Sequence, residues 1–497
     1  MASSQLTGAG RAPRRRDILG RVSAAIVYLA LATPPFLFGS RDATTIAAWC
    51  AILGIGLICA PIKRLQKNHL LLLGGLFFVA LCFAFVLHEQ LSDRPWIAPF
   101  NPIWDKASEV LGRHLAPSVS IVRGEPFFAL GLPLANVLAL TLGLIVGLDT
   151  DRARRGVKVM AWAGGGYALY GIFGLLLDPS HILWREKTAY VGSLTSTFIN
   201  RNTAAAYFGS CAVVWLVLLM AAVRSRLPRG KVVWKRVPHN LLVHAGGDVL
   251  IRFAMLFVCL SAMFMTNSRG GVLISLTVLI VTFLAYFGRD LPRGPGILGV
   301  FIGCVVGGLV LMQVLGGNIG RRLDLQGFSD EGRLSVYRST LKIIADNPWF
   351  GTGLGTFDRV FPAYRGGDIS MWGVWNVAHN THLEFASEMG IPLTIVVGLA
   401  WTAAFVVLAA AVRGRRRHMA VPLSAFGVAL VALLHSSIDF PLQLAGYSIV
   451  VFALLGLGLS QAALRREDRG KASFGGMTRA ERGTGTGNGS PVSVNFG

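Results

Sequence analysis

Fifteen residues, "NVAHNTHLEFASEMG" (376–390), gather His379, Asn380, His382, Glu384 and Glu388 directly ahead of the apolar run "IPLTIVVGLAWTAAFVVLAAAV". An imidazole titrates near neutral pH, so either histidine can serve as a general base close to pH 7. A carboxylate beside such a base orients it, and Glu388 and Asp439 are both candidates for that task. His379 and His382 are three residues apart and would share a face on a helix; Glu384 and Glu388 are four apart. A metal is conceivable from that density, but the chain lacks HExxH and no further set of ligands completes a typical site. The expectation is metal-independent chemistry without a cofactor. For a single histidine the plainer reading is a hydrogen-bonded interfacial side chain, and two histidines with two acids in one short stretch weaken it.

Three other stretches carry polar groups next to apolar runs. "STFINRNTAAAYFG" (196–209) holds Asn200, Arg201 and Asn202, "TNSRGG" (266–271) holds Arg269, and "HSSIDF" (435–440) holds His435 and Asp439 one helical turn apart. Helix N-termini present free N–H groups and a positive dipole, so Arg201 at a helix start marks a ready anion site. Arg269 stands between two apolar segments, where a charge is costly unless paired or hydrated. An interfacial anchor is the bland reading of both. For Arg201 the two readings are even, and for Arg269 function is favoured because Gly270 and Gly271 would admit a ligand closely. Guanidinium forks match phosphate oxygens two at a time, so two arginines suit a diphosphate.

These residues must be positioned by membrane helices. Of 497 residues, 53% are hydrophobic and only 14% charged, whereas soluble domains carry about 25% charged residues. A spanning helix needs about 20 apolar residues. Twelve spans are expected, at 20–39, 43–61, 70–88, 127–148, 157–177, 203–223, 249–267, 270–288, 297–315, 391–412, 420–435 and 443–464. The formal charge of +22 does not indicate nucleic acid, because the basic residues sit in short loops between apolar blocks. Thirty of the 47 Lys and Arg residues fall on the side of the termini and 16 on the other, which predicts both termini in the cytoplasm. The six cysteines lie inside apolar blocks without CxxC spacing and read as small buried hydrophobes. "RRRDILG" (14–20) looks like a twin-arginine signal, but the apolar run continues through "TPPFLFG", so an uncleaved first helix is expected.

The expected organisation is a basic cytoplasmic tail at 1–19, nine spans over 20–315, a long outer loop at 316–390, three spans over 391–464 and a disordered tail at 465–497. In the long loop, Leu334, Tyr337, Leu341 and Ile344 recur at helical spacing, with Arg338 and Lys342 on another face. They predict an amphipathic helix lying on the bilayer or capping the bundle. "GTGLGTF" (351–357) reads as a flexible turn after it.

The set "FINRNTAAAYFG", "TNSRGG", "RLSVYRSTLKIIADNPWFGTGLGTF", "AHNTHLEFASEMG" and "HSSIDF" resembles the O-antigen ligase and polymerase superfamily of bacterial membrane glycosyltransferases. The order, spacing and common side of these pieces carry the resemblance, which covers most of the chain. It implies an all-α, GT-C-like polytopic fold and a metal-independent transferase in the bacterial inner membrane. The donor would be a glycan on undecaprenyl diphosphate, and the acceptor a hydroxyl of lipid A core or of a growing polysaccharide at the periplasmic face. Arg201 and Arg269 match the family's diphosphate-gripping arginines and His379 its catalytic histidine. Asn200, Asn202, Asn380, His382, Glu388, Arg338, His435 and Asp439 are expected to support them. His379, Asn380 and Gly390 fit the ligase signature, although Leu393 stands where a second glycine is usual. That signature favours ligase over polymerase. The rival from another class is a transporter, but repeated halves are absent and the polar residues crowd one face of the bundle.

Overall fold

The computed structural model describes residues 12–62, 65–227, 246–290, 299, 331–367, 369, 375–414 and 419–464. Its long apolar runs are helices, the form that closes its own backbone hydrogen bonds where lipid offers none. They are α1 (Ala12–Ala32), α2 (Ala43–Ile58), α3 (Lys67–Leu91), the short α4 (Ile103–Leu111) and α5 (Glu125–Ala129), α6 (Gly131–Val146) and α7 (Thr150–Leu177). A small hairpin, β1 (His181–Ile182) with β2 (Arg185–Glu186), precedes α8 (Arg201–Arg226), α9 (Gly247–Met265) and α10 (Arg269–Phe287). Then come α11 (Glu331–Asp346), α12 (Phe357–Tyr364), α13 (Thr381–Met389), α14 (Ile391–Gly414), α15 (Ala420–Ser436) and α16 (Ala445–Ala463).

Eight stretches among the described residues are long and apolar enough to cross a membrane, and three shorter apolar helices accompany them. The chain is a polytopic helical membrane protein. Eleven of the twelve expected spans fall on these helices; the ninth, 297–315, lies outside the described residues except for Gly299. The tails at 1–11 and 465–497 also lie outside them. The first span stops short of its expected end at residue 39, because Pro34 and Pro35 cannot continue the helix past Ala32. Residues 38–40 instead turn with positive φ, and the Gly446 amide donates to Gly39 O at 2.8 Å.

Helices α8 and α16 form the buried axis, while α3 and α14 turn most of their surface outward. The crossing of α6 and α16 depends on the absence of side chains. A Cβ on Gly143 would stand 2.3 Å from the Ala453 carbonyl oxygen, and one on Gly456 2.2 Å from that of Leu140. Tertiary contacts sort the helix ends into two sets. At one end Gln461 Nε2 donates to Gly147 O (2.6 Å), Asn68 Nδ2 to Ala463 O (3.0 Å) and Tyr28 OH to Arg152 O (3.2 Å). At the other, Leu194 N donates to Met265 O (2.9 Å) and Gln90 Nε2 to Phe350 O (2.7 Å).

The segment ahead of α14 is more structured than a loop with one helix. It holds α11, α12 and α13 around a separate apolar core of Val336, Ile343, Phe357, Val360, Phe361 and Ala378. The expected stripe on α11 is corrected by this packing. Val336, Ser339, Thr340, Ile343 and Ile344 face inward, while Leu334 and Leu341 stand exposed. Helix α11 therefore buries a face rotated from the one its largest residues mark, because its neighbours are α12 and α13.

"GTGLGTF" is not a flexible turn either. It is packed onto the end of α13, with Thr352 N donating to Ser387 O (2.9 Å) and Gly353 N to Glu388 O (3.1 Å). Gly351 (φ 66°) and Gly390 (φ 82°) both require the left-handed region, and a Cβ on either would lie within 2.3 Å of a neighbouring backbone oxygen.

Candidate functional site

Three helices begin at one polar centre, and each is capped by a neutral side chain. Asn200 Oδ1 accepts from Asn202 N (2.7 Å) at the start of α8. Ser268 Oγ accepts from Gly271 N (3.3 Å) at α10. Asn380 Oδ1 accepts from His382 N and Leu383 N (both 3.1 Å) at α13. Capping satisfies amides that a helix start leaves unpaired, and it leaves the positive dipole in place. Arg201 and Arg269 are the first residues of α8 and α10. The Arg201 guanidinium lies 5.0 Å from the centre of the Tyr190 ring.

The turn after α15 joins these three starts. Asp439, almost fully buried, receives His379 Nδ1 on Oδ1 at 3.2 Å, and Phe440 N donates to the same oxygen at 2.9 Å. Its Oδ2 takes the Asn202 amide and faces Arg333 Nη2 at 3.7 Å. Arg333 Nη1 donates to Ile438 O (2.6 Å), Asn380 Nδ2 to Ser437 O (2.9 Å) and Thr381 Oγ1 to Asp439 O (3.2 Å). Burial pushes the Asp439 carboxyl upward, but the His379 hydrogen bond and the Arg333 and His379 charges outweigh it and hold the group below its usual range. Asp439 is therefore ionised at neutral pH and can only accept. Nδ1 of His379 must carry the proton of a neutral ring, which leaves Nε2 as the basic nitrogen.

His379 is itself held in an unusual pose. It has φ 52°, a left-handed conformation that costs a non-glycine residue energy. Tyr337 OH donates to its carbonyl (2.8 Å), and the rings of Trp375 and Phe440 stand edge-on at 5.5 and 5.2 Å. The side chain remains 22% exposed, so the imidazole can be reached from solvent.

The histidine pair does not share a helix face. His379 lies before the cap of α13, and His382 turns away to bring Nε2 within 3.2 Å of Leu433 O. Of the two acids proposed to orient a histidine, Asp439 touches His379, and Glu388 accepts from Phe357 N (3.0 Å) instead. His435 is buried beside Gly271, where its Cε1 would stand 3.0 Å from an added Cβ. Gly270 is closed off in the same way by Ile438, whose Cδ1 lies 2.2 Å from the Cβ position. The two glycines beside Arg269 thus admit the protein's own side chains, not a ligand. Arg338 is exposed on α11, and Arg333, five residues earlier, is the α11 arginine at the centre. Arg333 and Tyr337 are four residues apart, a spacing that would have paired them from sequence.

Glu384 and Glu388 fix α13 to the cap. Glu384 Oε2 accepts from Ala378 N at 2.6 Å. Burial, then the charge of Glu388, raises Glu384 to about 8; burial raises Glu388 to about 7. The folded chain thus binds these protons more tightly than the unfolded chain does. The stability they contribute is present in full below the ordinary carboxylate range and is lost as pH rises toward about 8. Replacing both with Gln keeps an acceptor without a charge. In detergent, the thermal midpoint of the wild type should fall between pH 5 and 8.5, and the double variant should lose most of that slope. Equal slopes would remove the pair from the pH dependence.

The fold and this centre define a polytopic helical membrane protein with a polar site at one end of its bundle. Residues 254–398 match the family model described as O-antigen ligase, which supports the O-antigen ligase superfamily for this chain. The match includes Arg269, Arg333 and His379, while Arg201 and Asp439 lie outside it. It supports a membrane enzyme of ligase or polymerase type. No curated protein matches the chain.

Proposed function

We propose that the protein is a membrane glycosyltransferase of the ligase type, acting at the periplasmic face of the bacterial inner membrane. It takes a glycan from undecaprenyl diphosphate and passes it to a hydroxyl of lipid A core. The observation that carries this reading is the His379–Asp439 pair at 3.2 Å, placed among three helix starts of which two begin with arginine. A lipid diphosphate sits at the membrane surface, and catalysis there needs fixed cations around the leaving group and a base near the acceptor.

In the proposed step the acceptor oxygen attacks the anomeric carbon of the donor sugar. His379 Nε2 takes the hydroxyl proton as the new C–O bond forms, and Asp439 stabilises the resulting imidazolium. The bond from the anomeric carbon to the diphosphate oxygen breaks. Its electron pair stays on the diphosphate, where Arg201, Arg269 and the amide-rich starts of α8 and α10 meet the added charge. Arg333 holds Asp439 in place. The basic-residue asymmetry of the loops supports a cytoplasmic location for both termini and a periplasmic one for the centre.

Deleting the gene and analysing surface lipids tests the reading. Loss of a ligase leaves bare lipid A core and complete chains on the carrier. Single repeat units on the core would instead show a polymerase of the same superfamily, and unaltered glycans with lost uptake a transporter.

A further inference from the structure

The loop between β2 and α8 is unaccounted for by this chemistry, yet it touches both arginine-bearing helix starts. Tyr190 lies under the Arg201 guanidinium at 5.0 Å. A cation on the first residue of a helix opposes the macrodipole, so helix stability alone does not favour Arg201 where it stands. Tyr190 is also in an unfavourable backbone state, with φ 60°. Such a pose persists only where the surroundings fix it, and here they do. Ser193 N donates to Tyr190 O (2.9 Å), Leu194 N to Met265 O (2.9 Å) and Lys187 Nζ to Ser193 O (3.4 Å). Asn267, itself left-handed at φ 55°, donates from Nδ2 to Gly192 O and Ser193 Oγ, both at 3.3 Å. Asn267 is two residues before Arg269. Ser196 Oγ then ties the loop to Tyr167 O of α7 at 2.8 Å.

We propose that the turn at residues 190–193 is a spacing bracket for the two arginines. Tyr190 sets the plane of the Arg201 guanidinium, and Asn267 clamps the turn to the start of α10, fixing how far apart the two cations stand. This rests on the reading of Arg201 and Arg269 as diphosphate ligands. A bracket of this kind selects a ligand with two phosphates over one with a single phosphate, because only the former spans both forks. Tyr190 and Asn267 are positioning residues: they act on the ligand through the arginines.

The test is binding of farnesyl diphosphate and farnesyl monophosphate to the purified full chain in nanodiscs. The wild type should prefer the diphosphate. Tyr190→Leu should weaken diphosphate binding about tenfold, within the range of a cation–π contact, and leave monophosphate binding nearly unchanged. Tyr190→Phe, which keeps the ring face, should restore the preference. Asn267→Gly, which keeps the left-handed backbone and removes the amide, should lose it too, and it serves where Tyr190→Leu fails to fold. A wild type that prefers the diphosphate, loses that preference in Arg201→Leu, yet keeps it in both Tyr190→Leu and Asn267→Gly overturns the bracket alone. A wild type that does not bind the diphosphate overturns the underlying reading, and the bracket with it.

Discussion

His379→Ala is expected to reduce glycan transfer by about 10²–10⁴-fold, the span that follows removal of a general base. The measurement is turnover of an undecaprenyl-diphosphate glycan onto lipid A core by the purified protein in nanodiscs. Diphosphate affinity should be retained, since the arginines are untouched. Asp439→Asn should show a loss of similar order for a different reason. It keeps the shape of the side chain but removes the negative charge that fixes the Nδ1 proton and offsets the imidazolium. It also removes the carboxylate that Arg333 faces at 3.7 Å. Because the two residues act as one unit, the double variant should be little worse than either single one. Near-normal transfer by His379→Ala would remove the imidazole from the mechanism.

Arg269→Gln is expected to cost about 10²–10³-fold in transfer, as removal of a preorganised charge stabiliser does. Arg269→Lys should recover only part of it. Lysine keeps the charge but presents a point, not a planar fork, and cannot hold two phosphate oxygens in fixed geometry. The contrast between the two variants separates charge from shape. If both transfer at the wild-type rate, Arg269 is an interfacial anchor and the diphosphate must be held elsewhere.

Eleven of the twelve expected apolar segments were legible as helices because lipid imposes a simple rule: an apolar run must close its hydrogen bonds as a helix, so composition and length locate it. Even the division of 249–288 into two helices was visible from "TNSRGG", where Ser268 caps α10. The first span was read too long at Pro34–Pro35, a breaker whose effect on Ala32 is local and was available from the sequence. The extramembrane cap was harder. Its helix α11 buries Val336, Ser339 and Thr340 and exposes Leu334 and Leu341, an order set by α12 and α13 and not by the residues' own hydropathy.

For the candidate site, the residue types were visible and the pairings only in part: Asp439 was one of two acids offered to orient a histidine, and its contacts with Asn202 and Arg333 were not foreseen. His379 meets Asp439 across 60 positions, and Asn202 meets it across 237. No local period encodes contacts at that range. The shared helix face of His379 and His382 failed because the helix begins only at Thr381, after the Asn380 cap. Tyr190 escaped notice since an isolated tyrosine in a loop carries no pattern; only its place under Arg201 gives it meaning.

The three neutral caps, Asn200, Ser268 and Asn380, imply a limit on how this centre can vary. Aspartate caps a helix about as well as asparagine or serine, so stability would tolerate it at each position. On the proposed reading, however, a carboxylate at any of the three would set a fixed negative charge against the diphosphate. The proposed ligand, not helix stability, then restricts these positions: Asn200→Asp, Ser268→Asp or Asn380→Asp is expected to keep the fold and weaken diphosphate binding.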